Sequence, residues 1–237
     1  MIKLFLRPAR PDQKGFTLVE LAIVMLVIGL LLGGLLTPLT VQIDQQRYNE
    51  TQKSLAEIKE ALIGFAIVNG RLPCPAISPA SGAEMPTCPP ASRDGYIPWT
   101  TLGVPKLDAW GHIFRYSVTP NYASSVLTLS TMGDITIRTR DATGTPANLS
   151  TGIPAVILSH GKNGYSSTND QGVNLPAAPA TNIDEALNAT INSTSFYSRT
   201  PTPVGYSQAN GGEFDDIVVW ISPNILFSRM VAAGRLP

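Results

Sequence analysis

Residues 16–43 read FTLVELAIVMLVIGLLLGGLLTPLTVQI and contain one charged side chain, Glu20. The run is longer than the ~20 helical residues that cross a hydrocarbon core of ~30 Å. A secretory signal peptide has a shorter apolar core and ends at a small-residue cleavage site, and this run does not end at an obvious A-x-A site. The sequence therefore predicts a transmembrane anchor at 16–43 that is retained in the mature protein.

The charges are distributed unevenly around this run. The 237 residues include 17 basic and 17 acidic side chains, for a net charge of zero, yet residues 1–15 carry four basic side chains and only one acidic side chain, Asp12. Because basic flanks stay in the cytoplasm, we expect a cytoplasmic N-terminus and a single pass across the membrane. The lack of an overall basic excess argues against direct nucleic-acid binding.

A specific pattern surrounds Glu20. Residues 14–20 read KGFTLVE, directly after a basic stretch and at the start of the apolar run. This arrangement resembles the processing site of type IV pilins and type II secretion pseudopilins. The resemblance implies that residues 1–15 are a leader, that a prepilin peptidase cuts between Gly15 and Phe16, and that the new amino terminus on Phe16 is methylated.

Glu20 has two explanations. A carboxylate in an apolar span costs at least ~2.5 kcal/mol, so it needs a partner or a function. The resemblance implies an assembly role, in which Glu20 pairs with the cationic terminus on Phe16 of a neighbouring subunit at low dielectric constant. Alternatively, Glu20 lies close enough to one end of the run to reach the membrane interface.

The chain turns polar after residue 44 but keeps helical periodicity. Of its residues, 43% are hydrophobic and 14% charged, which suits a folded protein of one large or two small domains. An apolar stripe predicts a helix face that packs on a globular head, and Asn69-Gly70 predicts the helix end, so we expect one helix over 16–69. The stripe consists of Leu55, Ile58, Leu62 and Phe65.

The remainder predicts an α+β, pilin-like fold, in which the long N-terminal helix packs on a small, largely antiparallel β-sheet. We expect a periplasmic head at 70–237, with an insertion at 165–212 that is rich in Ser, Thr, Asn, Ala and Pro. Short apolar runs predict strands at 114–118, 126–131, 134–138, 155–159 and 217–221, and helices are predicted at 184–189 and 224–233.

Two cysteines, Cys74 and Cys88, flank part of a Pro-rich loop. A metal site there would lack soft ligands, and a thiol catalyst would lack a histidine nearby in sequence. Because the predicted topology places the loop in the oxidising periplasm, a Cys74–Cys88 disulfide is favoured.

Three head segments are similar to pseudopilin segments. DAWG at 108–111 is similar to their D-P-W-G turn, SHGKNG at 159–164 to their S-x-G-x-[DN]-G loop, and DDIVVW at 215–220 to their closing D-D-I-x-x-W segment. In many such proteins the last two loops together bind calcium.

The resemblance implies a calcium site formed by Ser159, Asn163, Asp215 and Asp216, since Ca²⁺ takes several oxygen ligands. Two departures weaken the pattern: Asn163 replaces the usual aspartate, and the insertion separates the two loops. The alternative is that both aspartates only stabilise a turn. Ca²⁺ is therefore the candidate cofactor, and no other is predicted.

These features predict a non-enzymatic structural subunit of a pilus or pseudopilus, favouring a pseudopilin of type II secretion. The implied partners are prepilin peptidase, other pilin or pseudopilin subunits and the inner-membrane assembly platform. The implied location is the bacterial inner membrane and then the filament. The alternative within the class is a minor type IV pilin serving adhesion, motility or DNA uptake, which the insertion and the cysteine loop favour.

A membrane-anchored periplasmic enzyme or receptor is the alternative from another class. Ser159 and His160, with a distant Asp215 or Asp216, are the residue types of a hydrolase triad. However, the chain lacks a G-x-S-x-G elbow, and adjacent residues at a strand end point in opposite directions. We therefore predict no catalytic residues.

Overall fold

A computed structural model describes residues 15–141 and 143–236, without the side chains of residues 32–39 and 90. Apart from Gly15, the predicted leader lies outside the described residues. The chain divides into two compact units, Met1–Gln45 and Gln46–Pro237. Helix α1, Leu18–Asn69, contributes residues to both and begins two residues later than predicted.

In the first unit, the described apolar side chains of α1 are largely exposed; among them are Leu18, Leu26 and Leu30, with 87%, 63% and 71% of their surface accessible. Among the described residues, no helix proves both long and apolar enough to cross a membrane. The predicted transmembrane span at 16–43 is therefore not confirmed.

The second unit is an α+β arrangement with two β-sheets. The strands are β1 Asp94–Tyr96, β2 Arg115–Val118, β3 Ile135–Arg140, β4 Pro146–Ile153, β5 Ala155–Ser159, β6 Ser195–Tyr197 and β7 Ile217–Ile221. The first sheet has the strand order β1-β2-β5-β7 and is antiparallel throughout, and the second has the order β4-β3-β6, with β6 parallel to β3. The short helices are α2 Trp99–Leu102, α3 Pro120–Ala123, α4 Ile183–Asn188 and α5 Pro223–Ala232.

The C-terminal half of α1 packs on the first sheet. Leu55, Ile58 and Leu62 are fully buried in one apolar cluster with Tyr116 of β2 and Ile157 of β5. The helix face is thus the predicted one, although Phe65 is only half-buried. The predicted α+β class, with a long N-terminal helix and an antiparallel sheet, is confirmed.

Strand β5 is buried on both faces, which explains its unbroken apolar sequence. Ala155 and Ile157 belong to the cluster beneath α1, whereas Val156 and Leu158 belong to a second cluster with the strands of the second sheet. Alternation along one strand therefore joins the two cores.

Most predicted strands and helices are observed, but the strand at 126–131 is wrong. That segment contains no strand: Leu127 is buried, and its amide donates to the carbonyl of Gly70, while Val126 is 76% exposed. An apolar side chain here anchors a loop to the end of α1. Conversely, β1, β4 and β6 were not predicted because their sequences, DGY, PANLSTGI and SFY, lack an apolar run.

The insertion at 165–212 is built into the second unit. It supplies α4 and β6, and Asp184 at the start of α4 accepts hydrogen bonds from two arginines. Arg140 donates to Asp184 through Nε and Nη2 at 2.8 and 2.7 Å, and Arg199 donates through Nε at 2.7 Å. The Asp184 side chain is fully buried.

Asp184→Asn should strongly destabilise the protein, because it leaves two buried arginines without a counter-charge. Breaking a buried ion pair in this way costs ~3–5 kcal/mol. The matched control is Glu60→Gln at the exposed Glu60–Arg229 pair, for which we expect a change of at most ~1 kcal/mol. Chemical unfolding followed by tryptophan fluorescence measures both, and equal effects would contradict the anchoring role of Asp184.

Candidate functional site

The first candidate site is the start of α1. Thr17 lies directly before the helix, and its Oγ1 accepts a hydrogen bond from the Glu20 amide at 3.2 Å. In return, Oε2 of Glu20 accepts bonds from the amide and the hydroxyl of Thr17, both at 2.9 Å. This reciprocal pair is a capping box, which satisfies amides that a helix start otherwise leaves unpaired.

The predicted cleavage site lies directly before this cap. Gly15, Phe16 and Thr17 are not helical, and Phe16 is 87% exposed. A peptidase requires an accessible, non-helical substrate segment. The capping box therefore marks the start of the helix, at Leu18, and the Gly15–Phe16 bond lies before it in a non-helical segment.

The second candidate site is an acidic cluster of Glu185, Asp215 and Asp216. One carboxylate oxygen from each residue lies within 4.8 Å of the others. Asp215 and Asp216 directly precede β7, and Glu185 is contributed by α4 of the insertion. Sequence reasoning found the two aspartates but missed Glu185, because an acidic residue in a short helix carries no signal that it folds back toward them.

Asparagines surround the cluster. The backbone N–H of Asn163 donates to Oδ2 of Asp215 at 2.8 Å, and its side-chain Nδ2 donates to Oε1 of Glu185 at 2.9 Å. Asn188 donates to Oδ2 of Asp216 at 2.8 Å. Two asparagine side chains and one backbone N–H therefore hold these carboxylates in place.

The electrostatics of the cluster disfavour ionised carboxyl groups. Burial raises the pKa of Asp215 to about 8, opposed by the hydrogen bond from Asn163, and the neighbouring Glu185, Asp216 and Glu213 charges add to the rise. Burial, followed by the charge of Asp216, also raises the pKa of Glu185. Accumulated negative charge of this kind favours either protonation or a bound cation.

Gly161 allows the loop after β5 to approach the cluster. Its φ is +61°, and a Cβ built there would lie 2.3 Å from the carbonyl oxygen of Asp215 and 2.5 Å from its Oδ1. Only glycine fits both the left-handed conformation and the close approach.

The donor set suits a hard cation. Three carboxylates offer oxygen ligands, and Oδ1 of Asp215 is buried without a hydrogen-bond partner among the described residues. The Asn163 side chain is already committed, since its Oδ1 accepts from the Tyr165 amide. Asp215, Asp216 and Glu185 are therefore the residues that would hold Ca²⁺.

Ser159, the fourth predicted calcium ligand, is directed elsewhere. Its hydroxyl donates to Oδ2 of Asp108 at 2.7 Å, and Oδ1 of Asp108 accepts from the Trp110 and His112 amides. The structure therefore uses Ser159 to fix the turn at 108–111. His160 instead places Nδ1 3.5 Å from Oδ1 of Asp216, so Ser159 and His160 contact different aspartates.

The two cysteines come together but are not bonded. Cys74 and Cys88 are free, buried thiols in the same apolar cluster. Burial is the main cause of a raised pKa for both thiols. The disulfide is not formed in this structure and stays a prediction.

The chain thus combines an α+β unit with a helix whose N-terminal half exposes apolar side chains. Residues 10–36 match the model of the prokaryotic N-terminal methylation motif, the signature of type IV pilins and pseudopilins. The motif implies processing by prepilin peptidase and assembly with other pilin subunits. Comparison with curated proteins and with solved structures finds no match.

Asp215 should make stability fall with rising pH when no divalent cation is present. Between its ordinary pKa of 3.8 and about 8, the unfolded chain has lost this proton while the folded chain retains it. The unfolded state then binds fewer protons, so the free energy of unfolding decreases as pH rises through this window. Melting temperature in a chelator measures the effect.

Asp215→Asn is the matched control, because asparagine has nearly the same shape but does not ionise. In chelator, the melting temperature of Asp215→Asn minus that of the unmodified protein should increase as pH rises. Added calcium should reverse this at high pH by stabilising the unmodified protein more than the variant. Parallel pH curves with no calcium effect would contradict both the titration and the cation site.

Proposed function

We propose that this chain is a structural subunit of a pilus or pseudopilus. Prepilin peptidase cleaves it between Gly15 and Phe16 and methylates Phe16. Residues 16–43 hold it in the bacterial inner membrane with the head in the periplasm, and an inner-membrane assembly platform then transfers it into a filament through α1. The observation that carries this proposal is the methylation motif at 10–36, at the start of a helix with exposed apolar side chains.

Exposure around α1 supports assembly through this helix. The described apolar side chains of its first half do not form a single stripe: consecutive residues such as Leu18 and Val19, or Val24, Met25 and Leu26, are all at least half exposed. A helix that is apolar on every side is stable when lipid or other helices surround it. Membrane anchoring and packing among subunits supply these two environments in turn.

Glu20 links the helix start to assembly. In the single chain its carboxylate caps α1 through Thr17. Cleavage creates a cationic amine on Phe16. The Glu20 carboxylate can also accept a hydrogen bond from this amine of a neighbouring subunit, since a carboxylate has about four lone-pair sites. Pairing opposite charges in an apolar environment favours subunits in the correct register.

The acidic cluster favours a type II secretion pseudopilin over a minor type IV pilin. It brings together the SHGKNG loop and the DDIVVW segment, through the Asn163 amide and the carboxylate of Asp215. Calcium held by Asp215, Asp216 and Glu185 would cross-link the C-terminal strand to the insertion. We assign the head a structural role in the filament and no catalytic role.

Substitutions at Glu20 separate capping from charge pairing. Glutamine also completes a capping box but carries no charge, so Glu20→Gln retains the cap and loses the ion pair. We expect Glu20→Gln and Glu20→Ala to be cleaved normally and to be lost from filaments. Thr17→Ala weakens the cap and keeps the charge, so we expect it to remain in filaments. Immunoblots of sheared filaments and of membranes measure incorporation and cleavage.

The same variants would also reveal a role for Glu20 in capping alone. If Glu20→Gln enters filaments as well as the unmodified chain while Glu20→Ala does not, Glu20 acts through capping and the pairing mechanism is wrong.

A further inference from the structure

A tight turn lies in an uncharged stretch of the insertion. Residues 200–212 contain no charged side chain. The Tyr206 amide donates to the carbonyl of Pro203 at 3.1 Å, and Gly205 between them has a φ of +80°. This is the positive φ that the third position of a type II turn requires. Residues 203–206 are called the apical turn below.

The apical turn is held at its base. Thr202 and Phe214 exchange backbone hydrogen bonds at 2.8 and 3.2 Å, and the Gly212 amide donates to the carbonyl of Ser207 at 3.1 Å. The ring of Pro201 restricts the backbone directly before this base. Because the backbone is already ordered, a contact made by the turn loses less conformational entropy.

The tip of the apical turn is apolar and exposed. Val204 has 81% of its surface accessible and Tyr206 has 40%. A Cβ built on Gly205 would meet none of the described residues within 4 Å, so the turn stands clear of its own chain. An exposed aliphatic and an aromatic side chain on an ordered turn are suited to contact with another protein, because tyrosine offers a large contact area at low entropic cost.

A cavity of about 530 Å³ opens elsewhere in the second unit, and the apical turn does not line it. Its walls include the loop before β1, strands β1 and β2, and residues 166–192 of the insertion. Ile77 and Ile191 line it with 70% and 76% of their surface exposed. The cavity is therefore a concave surface at which the described part of the chain leaves apolar side chains uncovered.

The charges at the cavity wall are paired within the chain. Arg115 and Asp94 form a bidentate ion pair, and Arg115 also donates to two backbone carbonyls of the insertion. His160 lines the wall too, but its side chain is only 3% exposed, and its Nδ1 lies 3.5 Å from Oδ1 of Asp216. A positive charge on His160 would therefore face that carboxylate. A charged occupant would lose hydration without finding an unpaired counter-charge, so this wall favours an uncharged, apolar occupant.

We propose that the apical turn of one copy inserts into this cavity of a second copy. Both surfaces are without unpaired charge and expose branched aliphatic side chains, Val204 on the turn and Ile77 and Ile191 at the cavity. The contact joins two different surfaces, so it can repeat from copy to copy and extend a helical filament, whereas one surface pairing with itself stops at a dimer. This contact, which rests on the proposed filament role, joins neighbouring heads in addition to the packing of α1.

Cysteine cross-linking in bacteria tests the contact on the full chain. One copy carries Val204→Cys and a second, differently tagged copy carries Ile191→Cys, and both are made in the same cells. After oxidation with copper phenanthroline, we expect a cross-linked dimer that contains both tags, in membranes or in sheared filaments. Val126→Cys replaces Ile191→Cys as the matched control, because Val126 is also 76% exposed but does not line the cavity. We expect roughly tenfold less dimer with this control, since only a specific contact raises the local thiol concentration.

A pair of introduced charges tests the apolar match. Tyr206→Lys, added to the copy with Val204→Cys, should lower the cross-link to Ile191→Cys roughly tenfold, because an unpaired cation is costly to desolvate. Ile77→Glu, added to the other copy, supplies a counter-charge and should restore most of the yield. All substituted positions are exposed, and unchanged melting temperatures show that the variants fold.

The proposal is overturned if the dimer of Val204→Cys with Ile191→Cys is no more abundant than the control in both fractions. It is also overturned if Val204→Cys copies cross-link equally well to one another, or if Ile77→Glu restores nothing. Recovery of the unmodified chain in sheared filaments tests the filament role separately. Filaments without the cross-link contradict only the contact between heads, and the cross-link in membranes without filaments contradicts only the filament role.

Discussion

Burial of one face of α1 against the first sheet is the interaction on which the second unit depends. Leu55, Ile58 and Leu62 lose all solvent contact there, each worth ~1.5–3 kcal/mol if fully transferred from water. The helix fixes the sheet face formed by residues such as Tyr116 and Ile157. Because β5 alternates between two cores, fixing one of its faces also sets the face on which the second sheet packs.

The same helix begins under a different constraint. In its first half the described apolar side chains are exposed, and the capping box of Thr17 and Glu20 satisfies its first amides without another part of the chain. A cap within the helix itself lets the segment stay helical wherever its apolar surface is placed. That independence is compatible with both environments proposed for this segment, lipid and the filament.

Sequence periodicity was sufficient for the second half of α1 and for β5 and β7, because burial dictates their pattern on one or both faces. Periodicity predicted a strand at 126–131, where Leu127 instead anchors a loop. It missed β4, whose residues are largely exposed and form no apolar pattern. At the candidate site, the two aspartates followed from a short motif. Glu185 and the arginine pair around Asp184 arise from long-range folding of the insertion, which local pattern does not encode. The assignment of Ser159 to calcium stays a prediction, and in the structure its hydroxyl donates to Asp108.

Processing at the Gly15–Phe16 bond creates the amine that Glu20 would pair with, so filament assembly depends on it. Intact-mass spectrometry of the chain purified from bacteria with and without prepilin peptidase tests it most directly. We expect a mature protein that begins with N-methylated Phe16 when the peptidase is present and retains residues 1–15 when it is absent. A chain that still carries residues 1–15 in cells with active peptidase would contradict it.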